Sequence, residues 1–234
     1  TAHLPYGDKS TAAIQAYAIK IVNMLLQQEC KLILIACHSA SAAAYELVKE
    51  YIGSKALVMN VIDPVIHLLK EKYITKHVGL IGTRQTVNSH IYKKKIDDLN
   101  LGIRLSSSAT NLLASAIEEF GNHRVIDVLL ETYLAQPNLQ NIDALLLACT
   151  HYPIIKERIS QHYQKQNDGH IELIDSSDIV AQAVKKQLHK NNLLNENGTS
   201  AKLFYVSDYT ESFANNAKLF FGEDIKLEHY PLWD

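Results

Sequence analysis

One pattern constrains this chain more than any other, and it occurs twice. LILIACHSASA (residues 32–42) and LLLACTHYPII (residues 145–155) both begin with an apolar run of strand length. Each continues through Ala-Cys into a turn of hydroxyl and His residues and then into a helix. A run that is apolar on both faces fits a strand buried on both faces, as in parallel sheets. Ligands of such sheets bind beyond the carboxyl ends of the strands. The two cysteines, Cys37 and Cys149, are 112 residues apart, about half the chain. Two similar units facing one another would bring both thiols to one cleft.

The rest of the sequence supports this arrangement. Residues 10–29 put Ile14, Tyr17, Ala18, Ile21, Leu25 and Leu26 on one helical face. Strand-like runs at 31–37, 56–62, 77–83, 102–109 and 142–152 alternate with helical segments at 39–51, 64–74, 86–100 and 109–135. Pro153 opens a helix over 153–164, and 171–180 runs from a strand into a helix. KLFYVS (202–207), a helix around TESFANNAKLFF (210–221) and IKLEHYPL (225–232) close the chain. The alternation predicts an α/β fold of mostly parallel sheets covered by helices.

Composition excludes several classes. A net charge of −2 leaves no electrostatic footprint for nucleic acid or an anionic membrane. No apolar run reaches the ~20 residues of a membrane helix, and no signal-peptide pattern is readable. Three cysteines argue against a disulfide-stapled secreted scaffold and for a reducing, cytoplasmic setting. Neither a Gly-x-Gly-x-x-Gly nor a Walker loop is present.

A thiol at the amino end of a helix is expected to have a lowered pKa, because the helix dipole favours the thiolate. Three chemistries use a pair such as Cys37 and Cys149. Zinc binding would recruit Cys37, His38, Cys149 and His151, but the usual Cys-x₂₋₄-Cys and His-x₃₋₅-His spacings are absent. A redox dithiol would need Cα atoms within ~7 Å. Acid–base catalysis by two thiols, one on each face of a substrate carbon, needs the mirrored settings that the repeat offers. Cys30, at a helix-to-strand junction, reads as a core filler.

The same segments carry a family resemblance. Leu4-Pro5-Tyr6-Gly7-Asp8-Lys9-Ser10, Ala36-Cys37-His38-Ser39-Ala40-Ser41, Gly82-Thr83-Arg84-Gln85-Thr86, Ile117-Glu118-Glu119 and Leu147-Ala148-Cys149-Thr150-His151-Tyr152-Pro153 resemble the glutamate racemases of the aspartate/glutamate racemase superfamily. Leu173–Ser176 and Phe204–Asp208 extend the likeness nearly to the end. The resemblance implies two pseudo-symmetric domains with the active site in the cleft between them. Residues 1–60 and 172–234 would form a split first domain, and residues 61–171 the second. It further implies cofactor-independent inversion of glutamate at Cα, with Cys37 and Cys149 as the two bases and Glu118 and His151 assisting. Substrate contacts would come from Pro5, Tyr6, Gly7, His38, Ser39, Thr86 and Thr150. The implied product, D-glutamate, would feed peptidoglycan synthesis and so cell-wall biogenesis and cell shape. No metal and no cofactor are expected, and a homodimer is one expected state. The rival readings are an aspartate or hydantoin racemase, or a non-catalytic binding protein on the same fold.

Plain structural readings stand beside these roles. Tyr6 also reads as a packed aromatic, Glu118 as solvated surface, Thr83 and Thr86 as helix caps, and Lys93–Lys95 as a solvated helix face. Two departures from the family pattern are visible. Cys37-His38-Ser39 stands where the family has Cys-Asn-Thr, and His can both donate and accept only in a neutral tautomer. The family also opens with a strand ending in Asp-Ser-Gly, which would precede Thr1. The sequence beginning at Thr1 is therefore expected to lack the first strand of its first domain and to be weak in activity as it stands.

Overall fold

The computed structural model describes residues 2–120, 123–166, 171–195, 198, 200–209, 213, 217, 221 and 225–233. Most of the helix expected at 210–221 lies outside them. Eight strands and nine α-helices alternate along the described residues. β1 (Leu32–Ile35) pairs in parallel with β2 (Leu57–Asn60). β3 (His77–Gly82), β4 (Arg104–Ala109), β5 (Ala144–Ala148) and β6 (Glu172–Asp175) form a parallel sheet in the order β4-β3-β5-β6. β7 (Phe204–Val206) and β8 (Leu227–His229) form a third parallel pair. No helix among the described residues is long and apolar enough to cross a membrane.

The four-stranded sheet has a core on each face, which is why β5 reads Ala-Leu-Leu-Leu-Ala and is buried at every residue. Leu145, Leu147 and Cys149 alternate onto the side covered by α6 (Leu113–Phe120), α7 (His123–Leu134) and α8 (Lys156–Gln166). Ala144, Leu146 and Ala148 face α3 (Ile62–Lys72), α5 (Ile91–Asp97) and α9 (Ser176–Lys190). Each fully buried Leu or Ile on these faces contributes about 1.5–3 kcal/mol of burial free energy. A separate core joins α1 (Thr11–Gln27) and α2 (His38–Ile52) to β1 and β2, with Ile14, Val48 and Ile52 at its centre and Cys30 at its margin. Cys30 is thus a packing residue.

Some expectations need correction. β6 hydrogen-bonds to β5, so the boundary expected between residues 171 and 172 falls at the start of a strand of the larger sheet. The single helix expected over 86–100 is two: α4 (Arg84–Asn88) ends at Ser89, and His90 adopts a left-handed conformation (φ 52°) before α5 begins. Neither periodicity nor composition marks this break. Its cause is local: the Ser89 hydroxyl donates to the Thr86 carbonyl and accepts from the Ile91 amide, replacing the helical ladder with a side-chain bridge. In the helical region 109–135, the described residues form α6 and α7.

The two ends of the chain pack together. His3 stacks on Tyr17 at 4.2 Å and meets Trp233 edge-on at 4.3 Å, and Lys20 Nζ lies 4.9 Å from the Trp233 ring. Tyr6 lies 6.0 Å from Tyr17, at the edge of this cluster.

Candidate active site

Cys37 and Cys149 line one cavity of about 170 Å³, smaller than the roughly 300–1,000 Å³ of clefts for drug-sized ligands. Three structural features converge there. Cys37 caps α2 in extended backbone conformation (φ −100°, ψ 130°), with its carbonyl accepting the first helical hydrogen bond, from Ser41 N–H. Cys149 follows β5, where it continues the alternation that turns Leu145 and Leu147 toward α6. Pro5, Tyr6 and Gly7 enter a 3-10 turn (Tyr6–Asp8) that forms the third wall. Tyr6 also packs against the α1–α2 core, so the packed-aromatic reading and the wall reading hold together.

The α2 side is held by hydroxyls. Ser39 Oγ lies 2.7 Å from Thr83 Oγ1 and 3.3 Å from Thr86 Oγ1, and the two threonine hydroxyls are 3.1 Å apart. Thr83 caps α4 by accepting from Thr86 N–H, as its strand-to-helix position suggests. Thr83 lines the cavity, whereas Thr86 is buried behind it and does not. Of the two threonines only Thr83 thus lines the cavity, with Leu4, Ala114 and Ala148 as further wall residues. Thr83 stands at the carboxyl end of β3, and the strand-end rule that singles out Cys149 would have found it.

On the β5 side, His151 Nδ1 is 3.7 Å from Cys149 Sγ, and His151 Nε2 is 3.6 Å from Glu118 Oε1. The residues after Cys149 turn as expected: Tyr152 N–H donates to the Cys149 carbonyl, so His151 meets the thiol across the turn. Glu118 is one helical turn beyond Ala114 on the inward side of α6, and both line the cavity. Its carboxylate is 18% exposed, which removes the solvated-surface reading. Thr150 completes this wall.

His38 lines the cavity, but its ring is committed elsewhere. Nδ1 is 2.9 Å from the Tyr92 hydroxyl and Nε2 is 3.2 Å from Ser176 Oγ. Burial lowers its pKa to about 4, so the ring is neutral. The ring therefore joins α2 to α5 and α9 while the residue lines the cavity. A four-ligand zinc site would need this ring turned away from both partners.

The thiols also depart from expectation. Burial pushes Cys37 up, and the Ala40 and Ser39 amides with the Ser39 hydroxyl draw it only partly back, without forming a geometric side-chain cap. Burial raises Cys149 to about 12; the His151 amide opposes this, while the charges of Cys37 and Glu118 add to it. The dipole is weak at Cys149 because a 3-10 turn (Tyr152–Ile155), not an α-helix, follows it. Tyr6 is raised to about 12, mainly by burial and then by the neighbouring Cys37. Among the described residues, no Lys or Arg lines this cavity.

The cavity thus brings together two strand-end thiols, each on its own α/β unit, one of them beside a His–Glu pair. Comparison with known proteins identifies the class: the chain belongs to the Asp/Glu/Hydantoin racemase family, which matches residues 3–184. It is 33% identical over 227 residues to a glutamate racemase of Chlorobaculum parvum, covering 96% of this chain and 82% of that one. The crystal structure of glutamate racemase from Francisella tularensis in complex with D-glutamate superposes with a TM-score of 0.89 at 34% identity, covering 99% of this chain and 85% of that one. An aspartate racemase of Picrophilus torridus superposes less well, with a TM-score of 0.56 at 26% identity over 74% of this chain and 69% of that one.

Proposed function

We propose that this protein is a cofactor-independent glutamate racemase whose two bases are Cys37 and Cys149, acting in a cleft between two domains. The observation that carries this reading is that both thiols line one amino-acid-sized cavity, each at the end of a different parallel strand. Likeness over nearly the whole chain to a glutamate racemase with D-glutamate bound favours glutamate over the shorter aspartate.

The chemistry is a proton exchange at Cα. One cysteine, as thiolate, takes the α-proton, leaving a carbanion conjugated with the carboxylate. The other, as thiol, donates its proton to the opposite face. The enzyme ends with the two protonation states exchanged, ready for the other enantiomer. Each base must reach its proton and have a pKa suited to the working pH. With burial raising both thiols, the thiolate needs a partner. His151 can take the Cys149 proton at Nδ1, and Glu118 stabilises the resulting imidazolium from the Nε2 side. Catalytic hydrogen bonds often tighten only once substrate is bound, so 3.6–3.7 Å is a workable starting geometry. The growing carboxylate charge would be met by preorganised donors in a water-poor cleft: backbone amides and the hydroxyls of Ser39, Thr83 and Thr150. Pro5, Tyr6 and Gly7 would close the substrate from above. The product would supply D-glutamate for peptidoglycan synthesis.

The test is α-proton exchange in D2O, followed by NMR together with optical rotation, using L- and D-glutamate and L- and D-aspartate without added cofactor. Glutamate should exchange and invert faster than aspartate. Cys37→Ser and Cys149→Ser should each slow inversion by roughly a hundredfold or more. Unchanged inversion in both variants would rule out the two-thiol mechanism, and faster inversion of aspartate would reassign the substrate.

A further inference from the structure

The first two residues of α2 hold both flanks of the strand that ends in Cys149. In the larger sheet β5 lies between β3 and β6. Gly82 of β3 pairs with Ala148, and Asp175 of β6 pairs with Leu147. Thr83, just past β3, and Ser176, just past β6, therefore flank the strand end from which Cys149 emerges. On one flank, Ser39 Oγ lies 2.7 Å from Thr83 Oγ1. On the other, His38 Nε2 lies 3.2 Å from Ser176 Oγ, while Nδ1 lies 2.9 Å from the Tyr92 hydroxyl of α5. Cys37 immediately precedes this pair of residues and caps the same helix.

Consecutive helical residues point about 100° apart around the helix axis. A helix held at Ser39 alone can pivot about that contact and carry Cys37 with it. A second hold in another direction removes the pivot, and the His38 ring supplies it. A neutral imidazole has one donor and one acceptor nitrogen, and each hydroxyl can take either part. Both partners are therefore satisfied in either tautomer. His38, Tyr92 and Ser176 are all buried, so water does not compete for these bonds.

We infer that His38 is a positioning residue: through Ser176 and Tyr92 it fixes the first turn of α2 on the larger sheet and so sets where Cys37 stands against Cys149. The inference rests on the two-thiol reading, because a proton exchange across one carbon depends on that separation. Proton transfer needs near-attack geometry, and a displacement of about 1 Å can cost roughly a hundredfold in rate. Ser39 and Thr83 line the cavity and keep their own contact when the His38 bonds are removed. Turnover is therefore more sensitive to His38 than substrate binding is.

The test uses His38→Phe, which keeps an aromatic ring and removes both bonds, beside Ser176→Ala and Ser176→Thr. In His38→Phe, kcat for glutamate inversion should fall roughly tenfold or more in both directions, while KM stays within about threefold. Ser176→Ala should lose part of this, and Ser176→Thr, which keeps the hydroxyl, should recover it. Adding Ser176→Ala to His38→Phe should cost no further kcat, since both act through one contact. The thiol separation is read independently of turnover, from the yield of Cys37–Cys149 cross-links with bis-methanethiosulfonates of graded length, by peptide mass spectrometry. The parent should favour one length, and His38→Phe should spread the yield over several. A purely structural role would lower the melting temperature and leave kcat and the cross-link profile unchanged. That result in a folded His38→Phe protein would overturn the inference, as would a rise in KM alone. If His38→Phe does not fold, Ser176→Ala decides by the same readings. A changed cross-link profile where the parent fails to invert glutamate would uphold the role of His38 and remove the racemase reading instead.

Discussion

His151 Nδ1 stands 3.7 Å from the sulfur of Cys149. Glu118 lies behind it at 3.6 Å, and in the proposed mechanism the ring takes a proton from the thiol and shares the resulting charge with this carboxylate. On that mechanism, removing either partner should leave Cys149 a poorer base and a poorer acid. His151→Asn should lower kcat/KM by roughly a hundredfold, within the span of general acid–base effects, and Glu118→Gln by roughly tenfold. The enantiomers are equal in free energy, so kcat/KM must fall equally in both directions. Initial rates from L- and from D-glutamate check both statements, and a variant at parent rates would remove that residue from the relay.

His38 makes acid stability a local property. Its folded pKa is about 4, below the ordinary unfolded value of about 6.5. The depressed value means the folded state resists protonation. The stabilisation is present above pH 6.5 and is lost as pH falls through 4, on the order of 3 kcal/mol in total. His38→Asn should flatten this loss. Urea unfolding at pH 7 and pH 4 measures it, since every other titrating group is common to parent and variant; equal losses in the two proteins would contradict the assignment.

Gly7 is required by the third wall. A Cβ there would lie 2.7 Å from Thr83 Cβ and 2.9 Å from Thr83 Cγ2. Thr83 is tied to Ser39 and caps α4, so it cannot retreat freely. Gly7→Ala should therefore displace the Pro5–Gly7 turn and raise KM by roughly tenfold or more, with an overpacking cost of about 1–3 kcal/mol. Steady-state kinetics and thermal melting read the two effects separately; an unchanged KM would show that the turn does not contact substrate.

Ser39 and Thr86 share one hydroxyl cluster, but only Ser39 lines the cavity. Ser39→Ala should raise KM more than Thr86→Val does. Thr86→Val should destabilise the fold by about 1–3 kcal/mol, because it leaves buried hydroxyls short of a partner. Melting temperatures and KM values for the pair decide this, and a larger KM effect from Thr86→Val would restore that residue to the substrate wall.

Much of this site was readable in one dimension because the requirements are local. A five-residue strand apolar on both faces can only be central, and the cysteine that ends it must open at the carboxyl edge. The repeat around Cys37 follows the same rule, and Pro5-Tyr6-Gly7 joined the site through the resemblance. What could not be read from the sequence is long-range. The residues that fix the direction of His38, Tyr92 and Ser176, lie 54 and 138 positions away, and neither carries a local mark of that contact. Likewise, the pairing of β6 with β5 could not be read from the sequence, because strand order within a sheet has no local signature.

The thiols mark the division most clearly. By itself the sequence determined that two cysteines would end two buried strands, since hydrophobic pattern and turn chemistry act over a few residues. Only the tertiary structure decided their acidity. Local reasoning offers a helix dipole that lowers a thiol's pKa, but packing from α6, the Pro5–Gly7 turn and the opposite cysteine removes water, and that desolvation is the largest influence at both sulfurs. Burial is a sum over neighbours distant in the chain, so no reading of adjacent residues supplies it.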